Sequence, residues 1–249
     1  MEILIFDLVG KMAHFRKYYT NSSSLTYYFP PRTAIIGIIA GIIGIERDKY
    51  YELFSQEKTK ISLSIKTPVR KLQQTVNYIW AESIKELNLS KGQHTQIPLE
   101  IVLPEKDNLL RYRIFFHHND KEIFNKVINA IKNKKIHYPV YLGISEFIGD
   151  VEFVDLVEAI EYKGTEDPIE IDSVINMDFL KKGEVIFDNS QYIKEKMPFE
   201  FDKDRRLKIG PKDFLIEIRR GRIKLKKFSH VFFKVNVGEE INNVVFMEK

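Results

Sequence analysis

Two alternating segments, 60–66 (KISLSIK) and 110–116 (LRYRIFF), and two helical ones, 34–45 and 120–134, predict an α+β protein. Taken in order, the N-terminal part reads strand, helix, strand, insertion, strand, helix, strand. That is the split βαβ, or ferredoxin-like (RRM-like), plan. It is expected to span residues 1–150, with an insertion at about 69–98, and to be followed by a smaller β-rich region at 151–249. A chain of 249 residues that is 44% hydrophobic can bury a core of this size.

The first strand is expected at 2–9 (EILIFDLV), with Ile3, Ile5 and Asp7 on one face and Leu4, Phe6 and Leu8 on the other. Pro30 and Pro31 stop extended structure, and Thr33 is the expected N-cap of the first helix. Gly37, Gly41 and Gly44 share a face of that helix, which should let it approach a sheet or another backbone closely. The apolar run 34–45 is about half the length a membrane span needs and ends in Glu46, Arg47, Asp48 and Lys49, so it reads as a buried helix. After the strand at 60–66, the segment 69–98 reads as a hairpin or as a short helix around 82–87, and 99–103 is β-like. The second helix should be capped by Asp120, with lysines in its last turn, where the helix dipole favours cations. Residues 139–142 are then read as a strand ended by Gly143. The C-terminal strands are expected at 151–162, 184–187, 214–218, 223–225, 231–237 and 243–247.

The net charge is only +4, so anion binding has to come from local clustering. Between Leu8 and Ile45 the chain has no Asp or Glu. That stretch holds Lys11, His14, Arg16, Lys17 and Arg32, interleaved with Phe15, Tyr18, Tyr19, Tyr27, Tyr28 and Phe29. Small hydrogen-bonding side chains fill its middle: Thr20, Asn21, Ser22, Ser23, Ser24 and Thr26. Cations suit phosphates, aromatic faces suit unstacked bases, and small polar groups suit sugars and base edges, so the stretch reads as an RNA-binding surface. Lys11, Arg16 and Arg32 are the candidate phosphate contacts. Tyr18, Tyr19 and His14 are candidates for stacking or base edges, and Thr20, Asn21 and Ser22 for hydrogen bonds. Tyr27, Tyr28 and Phe29 fit RNA contact and core equally well. A second basic stretch, 203–227, has eleven Lys and Arg against three acids. It fits either a solvated hairpin or a contact with nucleic acid or another protein.

Other chemistries find less support. Without cysteine there is no disulfide or thiolate metal site, and a reducing cytoplasm is the expected compartment. The N-terminus lacks a basic secretory leader, no cluster has metal-ligand spacing, and there is no GxxxxGK[ST] loop. No cofactor and no membrane association are expected. His14, His117 and His118 are the groups a metal-independent ribonuclease could use, but no spacing singles out a catalytic set.

An ordered run of elements carries a family resemblance. "AHFR" at 13–16 is followed by "TNS" at 20–22, "LTY" at 25–27, "PPRTA" at 30–34 and a Gly-containing helix. "YPVYLG" at 138–143, "EKMPFEFDKDRR" at 195–206 and the closing "NNVVFME" add to it. In these the chain resembles the CRISPR-associated Cas-five family of the repeat-associated mysterious protein (RAMP) superfamily, with spacing closest to subtype I-B members. The resemblance implies a non-catalytic, antiviral-defence Cascade subunit that holds the 5′ handle of the crRNA. Its partners would be the crRNA, the backbone subunit it caps, the large subunit, and target DNA near its PAM. The insertion would be a thumb-like hairpin using Lys71, Gln73, Gln74, Trp80 and Lys91. The alternative implied by the same resemblance is an endoribonuclease that processes precursor crRNA, as in subtype I-C.

Overall fold

The computed structural model describes residues 1–21, 23–79, 83–84, 94–219 and 221–249. From the N-terminus, β1 (Glu2–Gly10) runs into a loop that holds two short paired segments, β2 (Phe15–Arg16) and β3 (Thr26–Tyr27). There follow α1 (Arg32–Ile42), β4 (Thr59–Ile65), the hairpin β5 (Val69–Ile79) and β6 (His94–Pro104), β7 (Leu110–His118), α2 (Lys121–Lys132) and β8 (Gly149–Glu158). Four of these strands make an antiparallel sheet in the order β4-β7-β1-β8. The architecture is mixed and mostly strand, with two α-helices among the described residues.

Period-two alternation explains why β1 sits inside the sheet. Leu4, Phe6 and Leu8 enter the main core with Ile35, Ile36, Ile39 and the buried face of α2. Ile3 and Ile5 point the other way, into a cluster with Phe115, Val235, Val244 and Phe246. Asp7, also on that second face, is buried but receives Arg113 Nε at 2.8 Å and Arg111 at 2.9 Å. α2 starts as expected, with the Asp120 carboxylate accepting from the Glu122 and Ile123 amides. The insertion is a regular hairpin, with β5 paired to β6 from Val69↔Pro104 to Ile79↔His94. Of the helix expected around 82–87 only Ser83 and Ile84 are described, Trp80 and Lys91 lie outside the described residues, and Gln73 and Gln74 are exposed on β5.

Several expectations need correction. Thr33 does not cap α1. The helix begins at Arg32 behind Pro31, whose carbonyl accepts from the Ala34 and Ile35 amides, with no side-chain cap. The face of α1 toward the sheet is isoleucine and alanine. Gly37 instead makes room for a tyrosine, since a Cβ there would lie 3.1 Å from Tyr50 Oη, while at Gly41 another backbone does approach, the Tyr138 amide donating to its carbonyl at 3.2 Å. Residues 139–142 are not a strand, and only an isolated bridge joins Tyr141 to Ile148. Pro139 lacks a donor, and the Leu142 amide closes a turn onto the Phe147 carbonyl at 2.8 Å. The sheet's fourth strand is β8, and a boundary at 150 would fall inside it.

Beyond β8 come β9 (Ile160–Tyr162), β10 (Ile169–Ile171), β11 (Ile175–Asn176) and a 3₁₀ turn at Met177–Phe179. Then follow β12 (Tyr192–Met197), β13 (Glu200–Phe201), β14 (Leu207–Ile209), β15 (Lys212–Glu217), β16 (Ile223–Leu225), β17 (Phe232–Val237) and β18 (Glu240–Val244). They form small sheets, β11-β15-β12 and β18-β17-β9 being three-stranded. Residues 184–187 are not a strand; Val185 only bridges Leu225. This region shares the main core. Val174, Met197, Phe199, Phe214, Ile216 and Met247 belong to the same apolar cluster as β1 and α1. Among the described residues no helix is long and apolar enough to cross a membrane.

Arg32, expected at a phosphate, is 1% exposed. Its Nε donates to the Glu248 carboxylate, its other amino group donates to the Phe54 carbonyl at 2.9 Å, and its guanidinium lies 5.4 Å from the Phe199 ring. Burial raises the Glu248 pKa, and the charge of Arg32 opposes the rise. A side chain so enclosed cannot reach a ligand. Breaking such a pair leaves an uncompensated buried charge, so Arg32→Ala and Glu248→Ala should each lower stability by about 3–5 kcal/mol. The double variant should lose less than the sum of the two, as read from urea midpoints at constant m.

Candidate nucleic-acid interface

The loop between β1 and α1 has little structure of its own and is held by its neighbours. Ala13 exchanges both backbone hydrogen bonds with Val102 of β6, at 3.0 and 2.9 Å. The His14 amide donates to the Leu142 carbonyl at 2.9 Å. On the return limb, the Glu100 amide donates to the Ser24 carbonyl at 2.9 Å, and the Phe15 amide donates to Thr26 Oγ1 at 2.8 Å. Gly143 has φ +99°, and a Cβ there would lie 1.9 Å from the His14 carbonyl oxygen. Glycine is therefore what lets 141–143 press against the loop.

His14 is 2% exposed and inside this clamp, not on the surface expected of a base contact. The Glu100 carbonyl, 2.7 Å from Nδ1, can only accept, so Nδ1 carries the proton. Nε2 then accepts from the Ser24 hydroxyl at 3.1 Å. Burial lowers the His14 pKa, with the charges of Arg16 and Lys71 acting in the same direction and the Glu100 hydrogen bond opposing. His14 is thus a neutral structural bridge between the loop and the base of the hairpin.

The other candidates sort by depth. Lys11 is exposed and has no ion pair among the described residues. Arg16 is exposed, and one amino group donates to the carbonyls of Thr20 at 3.0 Å and Asn21 at 3.3 Å. Tyr18 and Tyr19, 44% and 53% exposed, meet edge to face with centroids 5.2 Å apart. The Thr20 hydroxyl donates to the Lys17 carbonyl at 2.8 Å, which closes the turn, and Asn21 is exposed beside it. Ser22 lies outside the described residues. Arg16, Tyr18, Tyr19, Thr20 and Asn21 thus share one turn, whereas His14 and Arg32 are buried away from it. Tyr27 and Phe29 belong to the core, and Tyr28 is half-buried under Lys71 Nζ at 4.2 Å.

Two carboxylates that local sequence does not announce enter this loop. Glu195 of β12 pairs with Lys17 at 2.7 Å and lies 3.8 Å from Lys71. Glu100 of β6 pairs with Lys71 at 3.2 Å and accepts from the Thr26 amide at 2.8 Å. Burial disfavours the Lys17 ammonium, but the hydrogen bond and charge of Glu195 outweigh it and raise its pKa. Burial dominates at Lys71, whose pKa is lowered. A segment free of acids in sequence is therefore not free of them in space.

Six of the eleven cations in the second basic stretch pair with acids from outside it. Arg205 pairs with Asp48, Lys208 with Glu200, Lys212 with Asp178, Arg222 with Asp172, Lys224 with Asp188 and Lys227 with Glu166. The histidines do not converge either. His117 Nδ1 lies 2.7 Å from the Glu2 carbonyl, at the start of β1, while His14 follows its end. Eight strand steps, about 26 Å, separate those two ends. His118 is buried against the Leu53 carbonyl at 3.0 Å.

The His14 environment has a pH consequence. Because its folded pKa is depressed, the unfolded chain takes up a proton that the folded chain refuses. Stability should therefore be intact above about pH 6.5 and fall as pH drops below it, by up to about 1.4 kcal/mol per pH unit until the folded imidazole titrates. Denaturant titrations at stepped pH should show this loss, and it should shrink in His14→Gln.

The family model described as "CRISPR-associated protein (Cas_Cas5)" matches residues 3–209. A crystal structure of a CRISPR protein from Archaeoglobus fulgidus is similar over 100% of both chains, with TM-score 0.58 and 16% identity. A chain of a CRISPR RNA-guided surveillance complex aligns over 92% of this chain and 90% of its own, at 16% identity and TM-score 0.47. No curated protein matches the sequence. With the family model covering most of the chain, and a fold shared end to end with the archaeal CRISPR protein, this chain belongs to the CRISPR-associated Cas5 family.

Proposed function

We propose that the protein is a non-catalytic RNA-binding subunit of a type I Cascade complex, gripping the 5′ handle of the crRNA with the turn at 16–21. One observation carries this reading. The carboxylates that reach the loop, Glu100 and Glu195, are taken up by Lys17 and Lys71, while Lys11 and Arg16 have no ion pair among the described residues and Arg16 shares a turn with exposed Tyr18 and Tyr19. A fixed guanidinium beside open aromatic faces suits a splayed single strand, whose phosphates need a cation and whose bases need a stacking surface. Family membership supports the CRISPR context.

The finer parts belong to the same proposal. The sheet order β4-β7-β1-β8, with a helix in each crossover, supports a split βαβ (RRM-like) N-terminal domain, elaborated by residues 151–249. The β5–β6 hairpin, with Leu72, Tyr78 and Ile79 exposed, supports a thumb that caps the backbone subunits. The large subunit, target DNA near its PAM, a cytoplasmic setting and subtype I-B complete it.

Arg16→Ala should weaken binding to handle RNA and flatten the plot of log K against log salt by about 0.7, the loss of one single-strand phosphate contact. Fluorescence anisotropy over a salt series reads this, and an unchanged slope would assign Arg16 to the protein rather than to RNA. In EDTA the purified protein should leave repeat RNA intact. Discrete cleavage abolished by His14→Ala or His117→Ala would overturn the non-catalytic reading.

A further inference from the structure

Lys17 and Lys71 raise a question that the RNA-binding reading leaves open: a loop rich in cations has two of them covered by carboxylates from distant strands. Glu195 is 3% exposed and reaches both lysines, at 2.7 and 3.8 Å. Its strand, β12, is held in place from below by β15 along the register Tyr192↔Glu217 to Met197↔Lys212. The lysine stems run beneath the aromatic side chains of the loop, with Lys17 Nζ 5.5 Å from the Tyr27 ring and 6.0 Å from exposed Tyr19. Lys71 Nζ also donates to the Thr26 carbonyl at 2.5 Å. Two ammoniums and two carboxylates thus make an electrically neutral cluster immediately under the turn at 16–21.

We propose that Glu195 is a specificity-determining positioning residue: by neutralising Lys17 beneath the RNA-facing turn, it holds non-selective attraction to polyanions down and leaves discrimination to the base contacts of Tyr18, Tyr19 and Asn21. The inference rests on the proposed RNA-binding reading. Its physics is that phosphate attraction is blind to sequence, whereas hydrogen bonds to base edges at a fixed turn are not, and stacking adds a modest preference of its own. Each lysine left without a counter-ion under the turn adds to the first term alone. A carboxylate supplied by β12, far along the chain from the loop, also ties the turn's position to the C-terminal region, since Lys17 is anchored at its ammonium end and Tyr19 lies over that end. Glu100 does the same for Lys71 from the neighbouring strand.

The charge role and a merely structural role move different observables. The full-length protein is titrated with a handle RNA and a scrambled RNA of equal length, over a salt series, with thermal unfolding recorded for every variant. Glu195→Gln keeps an acceptor near Lys17 but removes the charge. It should tighten binding to the scrambled RNA, steepen the salt slope by about 0.7, and reduce the handle-to-scrambled affinity ratio about three-fold or more. Glu195→Asp should keep the wild-type slope. Lys17→Met/Glu195→Met, which restores neutrality without either charge, should return to the wild-type slope even if its stability changes. Weaker binding to both RNAs in Glu195→Gln at an unchanged slope overturns the proposal and makes Glu195 a structural residue. If Glu195→Gln does not fold, a double variant whose slope differs from wild type overturns it equally. Wild-type protein that binds neither RNA overturns the RNA-binding reading and this inference together, whereas wild-type discrimination with no slope change across the series sinks the inference alone.

Discussion

Burying a guanidinium obliges a chain to bring a carboxylate to it, and here that obligation joins the first helix to the last residues. Arg32 is the first residue of α1, where the helix dipole already disfavours a cation. The Glu248 carboxylate, 216 positions away, answers Arg32 with one oxygen and the Ile61 amide, at 2.8 Å, with the other. The Met247 amide donates to the Ile61 carbonyl at 2.8 Å, so the C-terminal segment also extends the edge of β4. Removing two charges from water costs several kcal/mol per ion unless geometry and further hydrogen bonds compensate. The compensation here is incomplete, since one Arg32 amino group has no hydrogen-bond partner among the described residues. The pair therefore does not mainly add stability. It makes the N-terminal sheet and the C-terminal strands interdependent.

The same logic governs the loop at the candidate interface. A run of this length between β1 and α1 would lose much conformational entropy on ordering, and its own two-residue pairings return little of it. Its order comes instead from contacts that other segments supply: β6 through Val102 and Glu100, the Gly143 turn through His14, and β12 through Glu195. Each is long-range in sequence. The exposed turn at 16–21 is thus presented on a frame that it does not itself build, as a recognition loop on a rigid scaffold requires.

What was legible in the sequence was whatever depends on periodicity. The two faces of β1, the strands at 60–66 and 110–116, and α2 with its Asp120 cap follow directly from the spacing of apolar residues and one capping carboxylate. What was not legible depends on counter-ions. Local composition makes Arg32 look like an RNA contact, puts Lys17 in a stretch free of acids, and makes 203–227 look like a basic patch. Glu248, Glu195, Asp48, Asp172 and Asp188 then arrive from elsewhere and cancel them. His14 looked like a surface aromatic because nothing nearby in sequence announces that the Glu100 carbonyl and the Ser24 hydroxyl will enclose its ring. The strand expected at 139–142 failed for a local reason, Pro139 and the turn to Gly143, that alternation alone does not weigh.

This cancellation changes what kind of binder the loop can be. With Lys17, Lys71 and Arg32 neutralised, the loop's cations without an ion pair among the described residues are Lys11 and Arg16. Two phosphate contacts on a single strand give a salt slope of only about −1.4, far short of an electrostatically driven complex. Stacking on an exposed aromatic contributes on the order of 1–3 kcal/mol per base, so Tyr18 and Tyr19 together can match or exceed the ionic term. Arg16 also differs from a free lysine. One of its amino groups is fixed by the Thr20 and Asn21 carbonyls, which restrain the guanidinium without neutralising it. The rest of the planar fork is then presented at low entropic cost in a geometry that suits a phosphate. On the proposed reading, a surface built this way would select for shape at one short stretch of strand and bind long polyanions weakly, as holding one end of an RNA without collecting others would require.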